Sequence, residues 1–356
     1  MSSSGISVNL LKQDGTVYDI TNACATVSWS GSASQAVRTA EFEYLNNPYD
    51  TALKLPTVSV GDFLTLVDSQ EGEVFYGQIF GIEKSSQIGT ITYTAYDFMK
   101  HLLESQASYI FRNTTPEEIA KQVCGENGIP LRTVNGVPSL YQTNTPIPAL
   151  ICDSMTLYDI IMSAYTMAHK IDGRKYFAMI YKRGLGVYAS EWIVDGFTLS
   201  DQSNIYSSDI TESMKDTVNK IKIVDDKGNQ IGEVKDDASI SLMGVFQQIY
   251  KQEEGIDPVS VAQNMLKAKP AQSIKISAIG DINCLSCYFV TVTDGATGLS
   301  GRYWISSDKH TWSNGVYTME LTLEFDALMN EVEAETQTEE EKEAERKAKQ
   351  KAQKGK

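Results

Sequence analysis

The sequence has no run of the roughly 18 apolar residues that a membrane-spanning helix needs, so no membrane anchor is expected. Its opening, MSSSGISVNLLKQDG, has neither a basic start nor a long apolar core, and no secretory signal is expected from it. Cysteine is scarce: Cys24, Cys124, Cys152, Cys284 and Cys287 are an odd set scattered over 356 residues, which argues against a disulfide framework. Positive charge is also short, with 31 Lys and Arg against 46 Asp and Glu and a net charge of −15. A clamp on nucleic acid would need a basic patch, so no stable nucleic-acid binding is expected. An acidic surface does suit one past which DNA slides without adhering.

Neither a GxxxxGK[ST] nor a GxGxxG phosphate loop occurs. Cys284-x-x-Cys287 has no second pair to complete a zinc ribbon. It lies between strands instead of opening a helix, so core packing is the better reading than redox chemistry. His101, His169 and His310 fall in separate predicted elements, with no nucleophile motif beside them. Acidic neighbours (Glu117 and Glu118, Asp225 and Asp226, Asp236 and Asp237, Glu253 and Glu254) sit in predicted caps and turns. Capping and solubility explain them better than a paired-carboxylate cleft. No catalytic residue, no metal ligand and no cofactor is assigned.

What is present is β structure. A chain this long implies two or three domains. Residues 60–103 read as three short strands (63–68, 74–83, 90–95) with turns between them, a sandwich or barrel signal. Gly77 and Gly81 read as barrel corners and Asp97 as the N-cap of a short helix. Before this meander, residues 6–11 and 17–20 flank Asp14-Gly15 as a hairpin. Residues 38–44 alternate, with Ala40, Phe42 and Tyr44 on one face and Thr39, Glu41 and Glu43 on the other. Residues 45–59 form a long loop carrying Tyr49, Leu53 and Leu55, either a surface connection or an interaction loop.

After residue 111 the period changes. Thr115-Pro116-Glu117-Glu118 is a capping box, and a second helix runs from Thr156 to Gly173. Strands at 175–182 and 185–189 complete a small α+β unit. Near Met214 β structure resumes, with Ile221 and Ile223 facing in and Lys220 and Lys222 facing out. A helix opens at Asp257-Pro258 and ends before Pro270. Residues 279–325 form a second meander parallel to the first. Gly280-Asp281 matches Gly61-Asp62, Asp294 matches Asp68, and residues 299–305 match 75–81. Two readings stand: an internal duplication, or two meanders sharing Gly and Asp because tight turns need them.

The Gly-Asp, strand, glycine and Ala-Tyr-Asp order of residues 61–103 resembles the hub proteins of contractile phage tails. So do residues 236–244 (DDASISLMG), the helix that follows them, and the G-R-Y-W-I-S-S-x-K-H run at 301–310. The pattern is similar to the late-control D family, which takes in baseplate hubs, hubs of phage-like bacteriocins and the base of type VI spikes. Met243 departs from it, standing where the family often has an aromatic residue before the glycine. The resemblance implies a mainly β fold with α+β insertions, holding two tube-like β-barrel domains per chain with smaller inserted domains. The limits would be 1–111 for the first barrel, 112–200 for the inserted domain, and 201–330 for the second barrel with a helical insertion near 236–270. It further implies a homotrimer that joins a sixfold tail tube to a threefold central spike and meets other baseplate proteins. Such a protein is assembled in the bacterial cytoplasm and carried in the tail of a virion or phage-like particle. Since some tail components cut cell wall, a tail-associated peptidoglycan hydrolase is the alternative.

Residues 331–356 hold eight Glu and seven Lys or Arg, leaving −14 on the body. They read as a solvated helix, a disordered segment or a docking tail. As interaction candidates the sequence offers Tyr49, Leu53 and Leu55 on the loop, and Glu41 and Glu43 on their strand. These two glutamates face either a channel or the outer wall.

Overall fold

A computed structural model describes residues 5–46, 49–50, 52, 54–84, 89–252 and 258–335. The chain divides into two compact units, Met1–Ser207 with Ile276–Lys356, and Ser208–Lys275.

In the first unit β1 (Ile6–Leu11) and β2 (Val17–Asp19) pair across the Asp14-Gly15 turn, as their spacing predicts. Gly15 takes φ +88° there, and the Asp14 carboxylate accepts the Thr16 amide at 2.9 Å. β3 (Cys24–Ser32) and β4 (Gln35–Asn46) follow, then the meander β5 (Phe63–Asp68), β6 (Gly72–Glu83) and β7 (Gly89–Tyr96). The two strand glycines differ from one another. Gly81 lies beside a bulge in the β6–β7 register. Gly77 marks a close approach: a Cβ there would run into the Tyr96 carbonyl and the Phe75 ring.

The short helix α1 (Met99–Glu104) starts one residue later than expected. Asp97 is buried before it and accepts the Met99 amide at 3.0 Å and the Arg38 amide at 3.2 Å. It therefore ties the helix to β4 as well as capping it. Next come β8 (Gln106–Thr114), α2 (Pro116–Glu126), the two-residue strands β9 (Thr133–Val134) and β10 (Val137–Pro138), and β11 (Ile147–Thr156). The capping box at Thr115 and Glu118 is complete. Helix α3 (Leu157–Asp172) is capped by Thr156 and ends on left-handed Gly173. Its face of Leu157, Ile160, Ile161, Ala164 and Ala168 is buried against α2, β11 and β12. β12 (Tyr176–Tyr181) and β13 (Gly184–Ala189) form a hairpin. β14 (Ile193–Ser200) follows, a strand whose burial does not alternate.

β15 (Ile205–Ser213) leads the chain out of this unit. The second unit holds β16 (Lys220–Val224), β17 (Gln230–Lys235), α4 (Asp237–Met243), β18 (Gln247–Lys251) and α5 (Pro258–Met265). Its sheet order is β17-β16-β18, over a core of Ile221, Ile223, Tyr250 and Ala262. Lys220 and Lys222 are on the wetter face, as the alternation predicts.

β19 (Ala271–Ile279) returns to the first unit, followed by β20 (Phe289–Asp294), β21 (Leu299–Ser313) and β22 (Val316–Glu324). The strand order is β15-β19-β22-β21-β3-β4-β7-β6-β5-β1-β2, with β20 beside β21 and β14 beside β20. The two meanders expected to form separate barrels thus share one mainly antiparallel sheet. They are joined where Ser307–Ser313 of β21 lines up with Ser32–Thr26 of β3. Asp68 and Asp294 do play matching parts, each buried and each accepting amides of the turn that follows. Gly61 and Gly280 do not: Gly61 is left-handed, whereas Gly280 is pressed against the Tyr317 ring.

The charged tail expected from residue 331 is held as far as Glu335. Val332 and Ala334 pack against the α3 core while Glu331, Glu333 and Glu335 face out, a strand alternation hidden among the charges. Val332 N–H donates to Thr166 Oγ1 at 3.0 Å, and Ile151 N–H donates to the Glu335 carbonyl at 2.7 Å. A chain ending at Glu335 is expected to melt like the full protein. One ending at Met329 should lose about 3 kcal/mol, from about three hydrogen bonds and two apolar side chains. Equal denaturation midpoints for the two truncations would contradict this.

Candidate interaction surfaces

The central strands make a sheet with two unlike faces. On one side Trp29, Phe42, Tyr93, Ala95, Trp312, Met319 and Leu321 are buried. On the other, the register sets polar residues in rows. Thr92, Glu43, Thr26 and Ser313 form one row across β7, β4, β3 and β21. Thr94, Glu41, Ser28, Thr311 and Thr318 form the next, ending on β22. Thr39, Ser30, Lys309 and Glu320 form a third. Threonine suits this position because its branched Cβ fits the pleat while its hydroxyl bonds across strands. Thr26 and Ser313 hydroxyls do so at 3.3 Å. Glu41 and Glu43 are exposed on this face, with hydroxyl side chains as their cross-strand neighbours. Beyond Tyr96 the same face turns aromatic. Phe63, Tyr76, Phe98, His101, Phe80 and Tyr96 form a chain of rings with centroids 5.4 to 6.5 Å apart. Arg183 sits 4.1 Å over Tyr76 and is held there by Glu73. Sequence reasoning missed this stripe, although Phe63 and Tyr76 stand on the wetter face of their strands.

The loop residues separate. Tyr49 is 79% exposed. Leu55 instead packs against the core, where the Tyr44 hydroxyl donates to the Pro56 carbonyl at 2.9 Å and Lys12 to the Thr57 carbonyl at 3.0 Å. Leu53 lies outside the described residues.

The junction between the two meanders is fastened by a buried ion pair. Arg38 of β4 donates to both oxygens of Asp308 of β21, at 3.0 and 2.5 Å, and its guanidinium lies 4.1 Å over the Trp29 ring. The Ser286 amide donates to Asp308 at 2.6 Å. Burial alone would raise the Asp308 carboxyl. The Arg38 charge and the hydrogen bonds from His310 and Arg38 outweigh it and hold the group well below the usual carboxylate range. His310 Nε2 faces Asp308 at 3.4 Å and the Cys284 carbonyl at 3.2 Å, which places its proton there. Nδ1 then accepts from the Tyr317 hydroxyl at 2.8 Å. Gly31 is needed here, since a Cβ on it would run into the Arg38 guanidinium.

The groups weighed for chemistry have structural places. Cys284 and Cys287 are buried free thiols beside this pair, and burial pushes Cys287 up to about 12, the reverse of an activated thiolate. Glu117 accepts the Thr143 and Asn144 amides, Glu118 closes the α2 cap, Asp225 gathers turn amides and Asp236 caps α4. Glu253 and Glu254 lie outside the described residues.

Comparison with known proteins places this arrangement. The YqbQ protein of Bacillus subtilis is 28% identical over 278 residues, 74% of this chain and 81% of its own. The phage-like element PBSX protein XkdQ of the same organism is 25% identical over 306 residues, 83% and 90%. The 43 kDa tail protein of prophage MuSo2 from Shewanella oneidensis shares the fold with a TM-score of 0.65 at 17% identity, over 90% of this chain and 98% of that one. An E. coli component of the type VI secretion system and a Francisella PdpA-VgrG complex share it more distantly, at TM-scores of 0.52 and 0.53. The model of the YqbQ-like family matches residues 27–324, both meanders and everything between them, and the chain belongs to that family.

Proposed function

We propose that this chain is a structural, non-enzymatic component of a phage-type tail, the baseplate hub that joins the tail tube to the central spike. The similarity to tail proteins supports the coarser part of this reading. The observation that carries the finer part is the polar sheet face. A surface of five adjacent strands with three carboxylates, one lysine, a single valine (Val316, opposite Ser313) and otherwise hydroxyls is built to be wetted, not to be covered by a partner. Three copies in a ring would turn this face inward. The strands of each chain would then supply two tube-like walls, giving six similar units to the tube and three to the spike. Glu41, Glu43 and Glu320 would surround the axis with negative potential and keep DNA from adhering. Tyr49 and the loop around it would meet the neighbouring tail proteins.

Native mass measurement is expected to find a trimer, alone or after mixing with tube and spike proteins. The ring should not retain double-stranded DNA at about 50 mM salt, whereas a Glu41→Lys, Glu43→Lys variant should retain it and release it as salt rises. A chain that stays monomeric with both partners, or a wild-type ring that holds DNA, contradicts the reading. Purified peptidoglycan should be unchanged by the protein.

A further inference from the structure

On the apolar side of the sheet a cleft of about 300 Å³ opens between β3, the β5–β6 turn, the end of β12 and the start of β14. Trp29, Tyr181 and Tyr288 are among its walls, and Glu71 and Asp195 are at its rim. No Lys or Arg lines it. Both rim residues are exposed, and neither carboxylate has a partner among the described residues. Lys182 lies near but bonds the Glu71 carbonyl at 3.3 Å, not its carboxylate. Trp29 is 1% exposed, and its Nε1–H finds no acceptor among the described residues. Trp29, with Arg38 stacked on its ring, is part of the cleft wall. Such a site wants a ligand that brings a cation to the acidic rim and apolar surface to the aromatic walls. A peptide with basic side chains has both, an ammonium or guanidinium group and the methylene stem that carries it.

The chain itself carries such a peptide. Residues 346–356, RKAKQKAQKGK, hold six Lys or Arg and no acid, against −14 on the body. The strand that precedes them is held as far as Glu335, and the eleven residues from there to Arg346 reach at most about 40 Å. We propose that this cleft seats the basic segment of residues 346–356. A lysine or arginine of it pairs with the rim carboxylates of Glu71 and Asp195, its stem lying against the aromatic walls. The inference is independent of the hub reading: it concerns what the cleft holds, not what the ring joins.

The test uses the full-length chain. Zero-length carbodiimide cross-linking at low salt should join Glu71 or Asp195 to a lysine within residues 347–356. Mixing ¹⁵N-labelled with unlabelled chains reports whether that lysine belongs to the same copy or a neighbour. The cross-link should fall about tenfold at 0.5 M salt, since rim carboxylates are screened. A Glu71→Gln, Asp195→Asn variant changes only exposed groups and should keep its fold. In it, trypsin should cut within residues 346–354 about fivefold faster than in wild type, the segment having lost its seat. The proposal is overturned if the segment cross-links only to other carboxylates, or if wild type and variant are cut at equal rates. It is also overturned if Glu71 and Asp195 react only with a different tail protein.

Discussion

Arg38→Met is expected to cost the protein about 3–5 kcal/mol, the usual penalty for stranding one member of a buried ion pair. Asp308 is fully enclosed, with the Ser286 amide its main remaining donor, so the mutation leaves a carboxylate where water cannot reach it. The loss should appear as a lower denaturant midpoint, with loss of the near-ultraviolet signal of Trp29, on whose ring the guanidinium rests. Asp308→Leu should cost a similar amount, because it strands the arginine instead. The double variant Arg38→Met, Asp308→Leu should recover much of either loss, as apolar replacements of buried pairs do. Additive losses in the double variant would mean that the two residues act separately, contrary to their bidentate geometry.

The second large effect is on pH. Burial pushes the Asp97 carboxyl up to about 7, with the Arg38 and Met99 amides pulling it only part of the way back. A carboxyl raised in the folded state contributes stability that is complete below its unfolded value near 4 and is lost as pH rises toward 7. The size is at most about 4 kcal/mol. Asp308 acts in the opposite sense: its contribution is present above pH 4 and fades as the solution becomes more acid. The protein should therefore be most stable in mildly acidic solution, and its melting temperature should drop by several degrees between pH 5 and pH 7.5. Asp97→Asn holds the neutral form and should flatten that drop. A variant with the same pH profile as wild type would show that Asp97 is ionised in the fold.

Much of the architecture could be read from residue patterns, because local rules governed it. The meander at 63–96, the capping box at Thr115 and Glu118, the Thr156–Gly173 helix and the alternation around Phe42 each follow from a period or a turn residue. What stayed hidden depended on partners far apart in sequence. No local signal says that β21 pairs with β3 and merges the two meanders, or that Arg38 meets Asp308. The candidate surface divides in the same way. Glu41 and Glu43 stand together on one face because strand geometry alone requires it. That the Glu43 row continues through Thr26 and Ser313, and the Glu41 row as far as Thr318, follows from pairing, which one strand cannot reveal. Leu55 shows the converse, an apolar loop residue read as free for a partner and found against its own core.

The seam between β3 and β21 also governs the order of events at birth. Thr26 and Ser313, partners across it, are 287 residues apart in the chain. At about 5–20 residues per second, β3 leaves the ribosome roughly 15–60 s before the strand that covers its edge. The α2–α3 unit, whose contacts lie close together in sequence, can fold within that interval. The sheet must wait with one side of β3 bare, a long delay for a segment as apolar as Val27 to Trp29. Serines and threonines alternate along that strand and lower the apolar character of the waiting edge, so the polar face matters to the nascent chain before the sheet is closed.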